Sequence, residues 1–344
     1  MEQTVNVDDA TVILGIETSC DETAAAVVMG GNDVLSSVVA TQIEEHARFG
    51  GVVPEIASRA HVEALTPVID EALSRANVSF DRIDAVAATV GPGLIGALLV
   101  GVSAAKSIAL ALDVPFVGVN HLEAHLYAAL LDDPDVEFPM LVALVSGGNT
   151  LLVEVQGHGH YRIVGQTIDD AAGEAFDKVA RFLELGHPGG PAIDRIAQMG
   201  DDEAIDFPRA MLHDGLDLSF SGLKTAVVNH VRKHPEVSTA DVAASFQRAV
   251  VDVLVAKATS AARACGARTI ALGGGVAANS LLRDEMSRVC AESGWRLVLP
   301  SRAMCTDNAA MIASAGWYRL RSDGASPLSS GALPNLKLTD SIPR

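Results

Sequence analysis

The stretch Val12-Ile-Leu-Gly-Ile-Glu-Thr-Ser-Cys-Asp-Glu-Thr-Ala-Ala-Ala-Val-Val-Met29 decides the fold. An apolar run, Val12 to Ile16, ends in a polar turn, and a second apolar run, Ala24 to Met29, returns from it. Short apolar runs bounded by polar turn residues read as β-strands. Asp33 to Ala40 reads as a third, so the chain opens with an antiparallel set. Beyond it come a helix over 58–76, a strand Ala85 to Val90, the turn Gly91-Pro-Gly93, a helix Ile95 to Leu112 and a strand Pro115 to Val119. Antiparallel strands that give way to alternating helix and strand imply a mixed sheet with helices on its faces.

The same order then begins again. Met140 to Val145, Leu151 to Val155 and Tyr161 to Gln166 read as three strands, with Ser146-Gly-Gly-Asn149 between the first two. Helices follow near 175–185 and 240–264, then a strand Thr269 to Leu272 leading into Gly273-Gly-Gly-Val-Ala-Ala-Asn279. A helix over 279–291, a strand Arg296 to Leu299 and a last helix over 308–321 complete the pattern. The fold class is therefore α/β, an architectural duplication without obvious sequence repetition. Two such mixed-sheet domains facing a central cleft would put their first-strand turns on both sides of it, where ligands of open α/β sheets collect.

Length and composition agree with this. The 344 residues can bury two substantial cores, and 49% hydrophobic with 20% charged residues is a globular balance. Aromatics are only 4% of the chain, which does not suit an aromatic nucleic-acid platform. A net charge of -18 argues against broad electrostatic capture of nucleic acid, though not against a local basic groove or a basic partner. The cysteines, Cys20, Cys265, Cys290 and Cys305, form no C-x-x-C pair and are expected reduced, in a cytoplasmic protein. The long uncharged run between Asp84 and Lys106 is broken by Gly91-Pro-Gly93 and reads as a buried strand, a turn and a buried helix, not a membrane span.

Chemistry enters with His121-Leu-Glu-Ala-His125. Two imidazoles four residues apart share one helix face and could offer two nitrogens to a metal; equally, such a pair can be structural or exposed. It is not the zinc-peptidase pattern. Glu123 follows the first His by two positions, which rotates it about 200° away from the metal face. The glycine-rich turns at 91–93, 146–149 and 273–279 suit phosphate, because bare backbone N–H groups can approach an anion.

Taken together, the motifs resemble one family. They are Gly15-Ile-Glu-Thr-Ser-Cys-Asp-Glu-Thr23, Gly50-Gly-Val-Val-Pro-Glu55, Ala57-Ser-Arg59, Gly91-Pro-Gly-Leu-Ile-Gly-Ala-Leu98 and Asn120-His-Leu-Glu-Ala-His125. Val145-Ser-Gly-Gly148, Ile168-Asp-Asp-Ala-Ala-Gly-Glu-Ala-Phe-Asp-Lys178, Pro188-Gly-Gly190 and Ser219-Phe-Ser-Gly-Leu-Lys-Thr225 continue the series. Gly273-Gly-Gly-Val-Ala-Ala-Asn279 and Cys305-Thr-Asp-Asn308 close it. In this order the segments resemble the TsaD (Gcp, YgjD) family of bacterial tRNA N6-adenosine threonylcarbamoyltransferases, within the actin-like ATPase and sugar-kinase superfamily. The resemblance implies two actin-like (RNase H-like) domains, expected at 11–120 with 309–330 and at 121–308, the latter carrying the metal and nucleotide site. Residues 1–10 and 331–344 are expected as flexible tails. Asn149 stands where the family usually has His, the ending around Pro334-Asn-Leu-Lys337 matches its C-terminus only loosely, and the N-terminal extension has no counterpart.

The resemblance further implies one divalent metal on His121, His125 and Asp307, with Fe2+ the family's choice and Zn2+ equally compatible with the ligand set. The bland role for Asp307 is a helix N-cap. Substrate contacts implied in the same way are Leu144, Val145, Ser146, Gly147, Gly148, Asp177, Gly190, Asp194 and Asn279. Against these stand a plain hairpin turn for Ser146 to Gly148, an i,i+4 pair of Asp177 with Arg181, and a helix cap for Asn279. Glu17 and Asp21 occupy the superfamily's first phosphate-side turn and rank lower. The implied reaction moves a threonylcarbamoyl group from threonylcarbamoyl-AMP to N6 of adenosine 37 in tRNA, releasing AMP; an adenine nucleotide such as ATP or ADP would suit the same fold. Implied partners are a TsaB-like heterodimer partner, a TsaE-like ATPase and a TsaC-type enzyme supplying the adenylate, with apolar faces of the helices 58–76 and 95–112 as the contact surface and no membrane. A metallo-endopeptidase, a small-molecule kinase and a non-catalytic scaffold are the rival readings.

Overall fold

A computed structural model describes residues 7–133 and 135–342. In chain order the elements are β1 (Val12–Glu17), β2 (Glu22–Met29), β3 (Asp33–Thr41), α1 (Ile43–Ala47), α2 (Pro54–Ala76), β4 (Ala85–Gly91), α3 (Ile95–Leu112), β5 (Phe116–Asn120) and α4 (His121–Asp132). Then come β6 (Met140–Val145), β7 (Thr150–Gly157), β8 (His160–Gln166), α5 (Ala172–Phe182), α6 (Gly189–Ala197), α7 (Ser221–Lys233) and α8 (Thr239–Cys265). The chain finishes with β9 (Thr269–Gly273), α9 (Ser280–Ser293), β10 (Arg296–Val298), α10 (Arg302–Cys305) and α11 (Ala309–Asp323).

The described residues fall into two compact units, each with its own mixed five-stranded sheet. In the first the strand order is β3-β2-β1-β4-β5, and in the second β8-β7-β6-β9-β10. Each is an antiparallel meander of three strands followed by two parallel ones. The duplication expected from sequence is thus present strand for strand. All six residues of β1 and all six of β6 are buried, as central strands covered on both faces must be.

The unit boundary lies elsewhere than at 120/121 and 308/309. The chain divides at 134/135 and 305/306, so His121, His125 and Asp307 all belong to the first unit. The reason is local. β5 ends at Asn120 and α4 starts at His121 with no loop between, so the helix stays with the first sheet. α4 also packs on α11, which lies across β1, β2, β4 and β5. Two glycines allow that close approach: a Cβ at Gly15 would strike the backbone of Ala309 and Ala313, and one at Gly316 would meet Ala87 Cβ at 2.5 Å.

The expected C-terminal tail is in fact packed. Leu336, Leu338 and Ile342 are buried, and the Leu333 amide donates to Val90 O at 2.6 Å. On the N-terminal side, Trp317 Nε1 donates to Asp8 O at 3.1 Å. The rest of the expected tails, residues 1–6 and 343–344, lies outside the described residues. α3 is the one helix among the described residues that is long and apolar enough to cross a membrane. It is buried along one stripe, Ala97, Leu98, Gly101, Val102, Ala105 and Ala109, while Ile95, Leu99 and Leu110 face out.

Candidate functional site

The first unit assembles its site from three elements. Asn120 caps α4, its Oδ1 accepting from the amides of Leu122 (2.9 Å) and Glu123 (3.4 Å). The helix therefore begins at His121, and His121 and His125 stack one turn apart with ring centroids 4.7 Å apart, edge to face. Asn308 caps α11, accepting from Met311 N at 3.0 Å. The cap role considered for Asp307 is thus filled by its neighbour, and the Asp307 carboxylate turns to the imidazoles. Its Oδ1 lies 3.4 Å from His121 Nε2 and 3.2 Å from His125 Nε2.

One donor atom from each of His121, His125 and Asp307 lies within 4.8 Å of the others. Two metal–ligand bonds of ~2.0–2.1 Å at a tetrahedral angle separate their donor atoms by about 3.3 Å. The two carboxylate–imidazole separations have that size. Two imidazoles and a carboxylate also leave coordination positions open. The donor set fits a divalent ion such as iron(II) or zinc; with a proton in place of the ion, the same distances are hydrogen bonds.

Glu17, at the end of β1, supplies the outer support. Its Oε2 accepts from His121 Nδ1 at 3.0 Å and from Thr89 Oγ1 at 2.6 Å, and its Oε1 from the Ser19 amide. A carboxylate on Nδ1 fixes the tautomer and aims Nε2 at the ligand position. Ser19 Oγ lies 3.3 Å from the same Nδ1. The electrostatics follow from this crowding. Burial works against charge on His121, but Asp307 and Glu17 on either side outweigh it and hold the imidazole pKa well above its ordinary value. Burial likewise opposes ionisation of Glu17 and Asp307, and His121 outweighs it in both, so both carboxyls are lowered. His125 is held differently. Its Nδ1 is buried with no hydrogen-bond partner, so packing and the contact of Nε2 with Asp307 set that ring.

Asp21 does not join the ligands; it sits beside Cys20 and Glu22, whose ionisation it opposes. Burial, then Asp307 and Asp21, push Glu22 up to about 9. Burial first and Asp21 next raise the Cys20 thiol well above its usual range, which disfavours the thiolate. Glu123 is buried against α11, its Oε2 2.9 Å from Arg319 Nη1. No peptidase base is available from it.

The second unit builds its candidate site from backbone. Ser146 to Asn149 make a closed turn, with the Ser146 amide on Asn149 O (2.8 Å) and the Asn149 amide on Ser146 Oγ (3.1 Å). Gly147 and Gly148 are exposed, with open space where a Cβ would stand. Two other turns close on this one. Gly173, in the first turn of α5, donates to Ser146 O at 3.2 Å, and a Cβ there would meet that oxygen at 2.5 Å. Gly274 (φ 81°) sits where a Cβ would meet Val145 O at 2.5 Å. Leu144 and Val145 are buried in β6 and can offer only backbone.

The implied polar contacts of this unit carry structural bonds. Asp177 Oδ1 accepts from the Gly189 amide at 2.7 Å, at the start of α6, and lies 4.0 Å from His187 Nδ1. Asp194 accepts from Ser280 Oγ at 2.6 Å and from the Ser280 amide. Asn279 is nine-tenths buried, caps α9 through Leu282 N (3.0 Å) and donates to Gln247 Oε1 (2.8 Å). Gly190, beside Gly189 at the start of α6, has open space at its Cβ position. The residues the sequence did not single out are Thr89 and Ser19, which hold Glu17 and His121, and Gly173 as a contact of the Ser146 turn. A signal was available for the first group: a glutamate ending a wholly apolar strand must be paired.

Comparison with known proteins gives a consistent picture. A family model described as TsaD, tRNA N6-adenosine threonylcarbamoyltransferase, matches residues 33–314. The tRNA N6-adenosine threonylcarbamoyltransferase of Geobacter sp. (strain M21) is 55% identical, covering 94% of this chain and 95% of its own. That of Symbiobacterium thermophilum is 54% identical, with 95% and 97% covered, and that of Clostridium perfringens 52%, with 96% and 99%. Among solved structures, full-length HypF in its phosphate- and nucleotide-bound form superposes with a TM-score of 0.61 at 14% identity, over 94% of this chain and 48% of that one. Component A of the Acidaminococcus fermentans (R)-2-hydroxyglutaryl-CoA dehydratase gives 0.56 at 15%, over 90% and 98%. At such identities the likeness is one of fold alone.

Proposed function

The chain belongs to the tRNA N6-adenosine threonylcarbamoyltransferase family, and from that premise we propose a specific reaction for it. It is a tRNA-modifying transferase. In the proposed step the threonylcarbamoyl group of threonylcarbamoyl-AMP passes to N6 of adenosine 37 in tRNAs reading codons that begin with A. N6 forms a bond to the carbamoyl carbon and gives up a proton. The bond from that carbon to the phosphate oxygen breaks, and AMP leaves with the electron pair.

The observation that supports this most is the convergence of His121, His125 and Asp307 within 4.8 Å. A divalent metal held there, iron(II) or zinc, supplies Lewis acidity toward an acyl or phosphoryl oxygen when bound. Glu17 keeps His121 aimed and Asn120 fixes the turn that carries it. In the second unit the open amides around Gly147 and Gly148 suit an adenylate phosphate or an adenine nucleotide such as ATP or ADP. The raised pKa of the Cys20 thiol argues against a thiolate relay and supports direct attack by N6.

With 43 acidic against 25 basic residues, the lone chain is a poor electrostatic match for tRNA. We therefore assign tRNA handling to an assembly with a TsaB-like partner and a TsaE-like ATPase, fed by a TsaC-type enzyme in the cytoplasm. The outward Val62, Ile95 and Leu99 of α2 and α3 support an apolar contact surface for the partner. The test is nucleoside mass spectrometry of tRNA incubated with purified protein and threonylcarbamoyl-AMP, with and without those subunits. Modified adenosine that appears only with the assembly is the expected result. Full multiple-turnover modification by the lone chain overturns the partner requirement, and none under any condition overturns the reaction.

A further inference from the structure

After α11 the chain runs back over the first unit as an irregular strap, 326–342. It follows β5, the free edge of that sheet: Ser326 N donates to Phe116 O at 2.8 Å, and Gly118 N to Ser326 Oγ at 3.0 Å. It then crosses the turn after β4, where the Gly93 amide donates to Pro334 O at 3.1 Å and Leu333 N to Val90 O at 2.6 Å. A Cβ at Gly91 would collide with the Leu333 carbonyl, so this crossing requires glycine there. Lys106 Nζ holds the Ser330 carbonyl, and Leu336, Leu338 and Ile342 are buried. The strap is therefore anchored along its length.

Its last polar contact reaches the functional site. Asn120 is 2% exposed and uses both ends of its amide. Oδ1 caps α4, while Nδ2 donates to the Lys337 backbone carbonyl at 2.9 Å. His121 is the next residue, and its Nε2 must stay beside Asp307 Oδ1 for the three donors to converge. We propose that the C-terminal strap is a positioning element of the metal centre, acting through the Lys337 carbonyl and Asn120 to fix the first turn of α4. Asn120 suits this better than the other good capping residues. Asp, Ser and Thr can all accept from the helix amides, but an ionised Asp has no donor for a carbonyl, and Ser or Thr has one short arm for both tasks.

The proposal rests on the metal reading of His121, His125 and Asp307, and the experiment separates the two. Zn2+ affinity is measured by calorimetry and Co2+ coordination by its visible spectrum, alongside melting curves. The proteins are wild type, Asn120→Asp, a chain ending at residue 332, and the two changes combined. Asn120→Asp keeps the cap but turns the strap donor into an oxygen that repels the Lys337 carbonyl and adds a buried charge. Asn120→Ser, whose one short arm serves the cap alone, is therefore measured beside it and should show the same weakening if the lost contact is the cause. About tenfold weaker Zn2+ binding is expected for each single change, as for other contacts that orient metal ligands, with an altered Co2+ spectrum. The combined protein should bind no more weakly than the truncated one, because both changes remove the same link. Wild-type Zn2+ affinity and Co2+ spectrum in Asn120→Asp overturn the proposal, even if that protein melts earlier, since the strap would then be only a brace. A wild-type protein that takes up no Zn2+ overturns the metal reading and this proposal with it.

Discussion

The turn after β1 and the turn after β6 hold the same place in two sheets of the same strand order, yet they are chemically opposite. The first, Glu17-Thr-Ser-Cys-Asp-Glu22, presents side chains: Glu17 is buried and bonded to His121 from the far end of the sheet. The second, Ser146-Gly-Gly-Asn149, presents backbone, and its glycines leave the amides bare. The shared topology fixes where a site can form. What the site does is decided by a handful of residues at the strand ends. The first unit is suited to holding a cation, and the second to accepting an anion.

The contrast breaks most sharply at the ligands. His121→Ala, His125→Ala or Asp307→Ala should each abolish metal uptake and transfer, a loss beyond the ~100-fold that changes around a ligand shell cost. Nucleotide binding by the second unit should survive, and metal content by mass spectrometry with calorimetry of adenylate binding reads both. A variant that loses its metal and retains full transfer would remove the metal from the chemistry.

The converse experiment is Gly274→Ala. The new Cβ would stand 2.5 Å from Val145 O at φ 81°, so the Ser146 turn must shift. Strain of about 1–3 kcal/mol is expected, with adenylate binding weakened by at least tenfold and Zn2+ affinity unchanged. Equal loss at both sites would show that the two turns are not separate devices.

Glu17→Gln is a finer probe of the first unit. It keeps an acceptor for His121 Nδ1 and removes the charge. Metal affinity should fall about tenfold without unfolding, since the charge, rather than the bare hydrogen bond, raises ligand basicity. Unchanged Zn2+ affinity would assign the support to the bare hydrogen bonds at His121 Nδ1, from the oxygen that Gln retains and from Ser19 Oγ.

How much of this the sequence disclosed depended on separation along the chain. The His pair is one helical turn, and i,i+4 spacing alone brings it together. Glu17 lies 104 residues from His121, and no local pattern could announce their bond. α3 matches its expected limits because an apolar run follows a Gly-Pro-Gly turn; α2 begins four residues before expectation because Pro54, which looks like a breaker, opens the helix. The pattern does not announce α6 or α7: α6 starts on Gly189 and Gly190, and α7 carries Gly222 in its first turn, residues of poor helix propensity. The C-terminal tail has the composition of a loose end; the irregularly spaced Leu336, Leu338 and Ile342 and hydrogen bonds to residues far away in the chain tie it down.

A fourth test asks whether the unit built from side chains is the acid-sensitive one. His61 is buried, with Nδ1 2.7 Å from Thr23 Oγ1 and 3.2 Å from Gln42 Nε2, while Nε2 donates to Cys20 O at 3.0 Å. Burial holds its pKa below 6.5; the Cys20 carbonyl, Glu17 and Asp21 pull the other way, and His46 adds to the lowering. The neutral ring is thus the native form. Its contribution is complete above pH 6.5, where the unfolded ring is also neutral, and is lost as pH falls from 6.5 toward the native value. The slope cannot exceed about 1.4 kcal/mol per pH unit for one group. Denaturant unfolding followed across that window should show stability falling with acid in wild type and a flatter profile in His61→Gln. Identical profiles would remove His61 as the cause.

The smallest effect is expected at Asn149. The family usually places His here, so Asn149→His asks whether the anion turn uses the side chain or the backbone of this position. The turn's own bonds are made by the Asn149 amide to Ser146 Oγ and by its carbonyl, which accepts from the Ser146 amide. Both survive any substitution that keeps the backbone in place. Gly147 and Gly148, which leave room for a phosphate, are untouched. A neutral imidazole is larger than a carboxamide but still polar, and the position is half-buried, so the ring can turn outward. Adenylate affinity measured by calorimetry should therefore stay within about threefold of wild type, a difference of less than 1 kcal/mol. A loss of tenfold or more would show that the Asn149 side chain forms part of the phosphate site, and the second unit would then share the first unit's reliance on side chains.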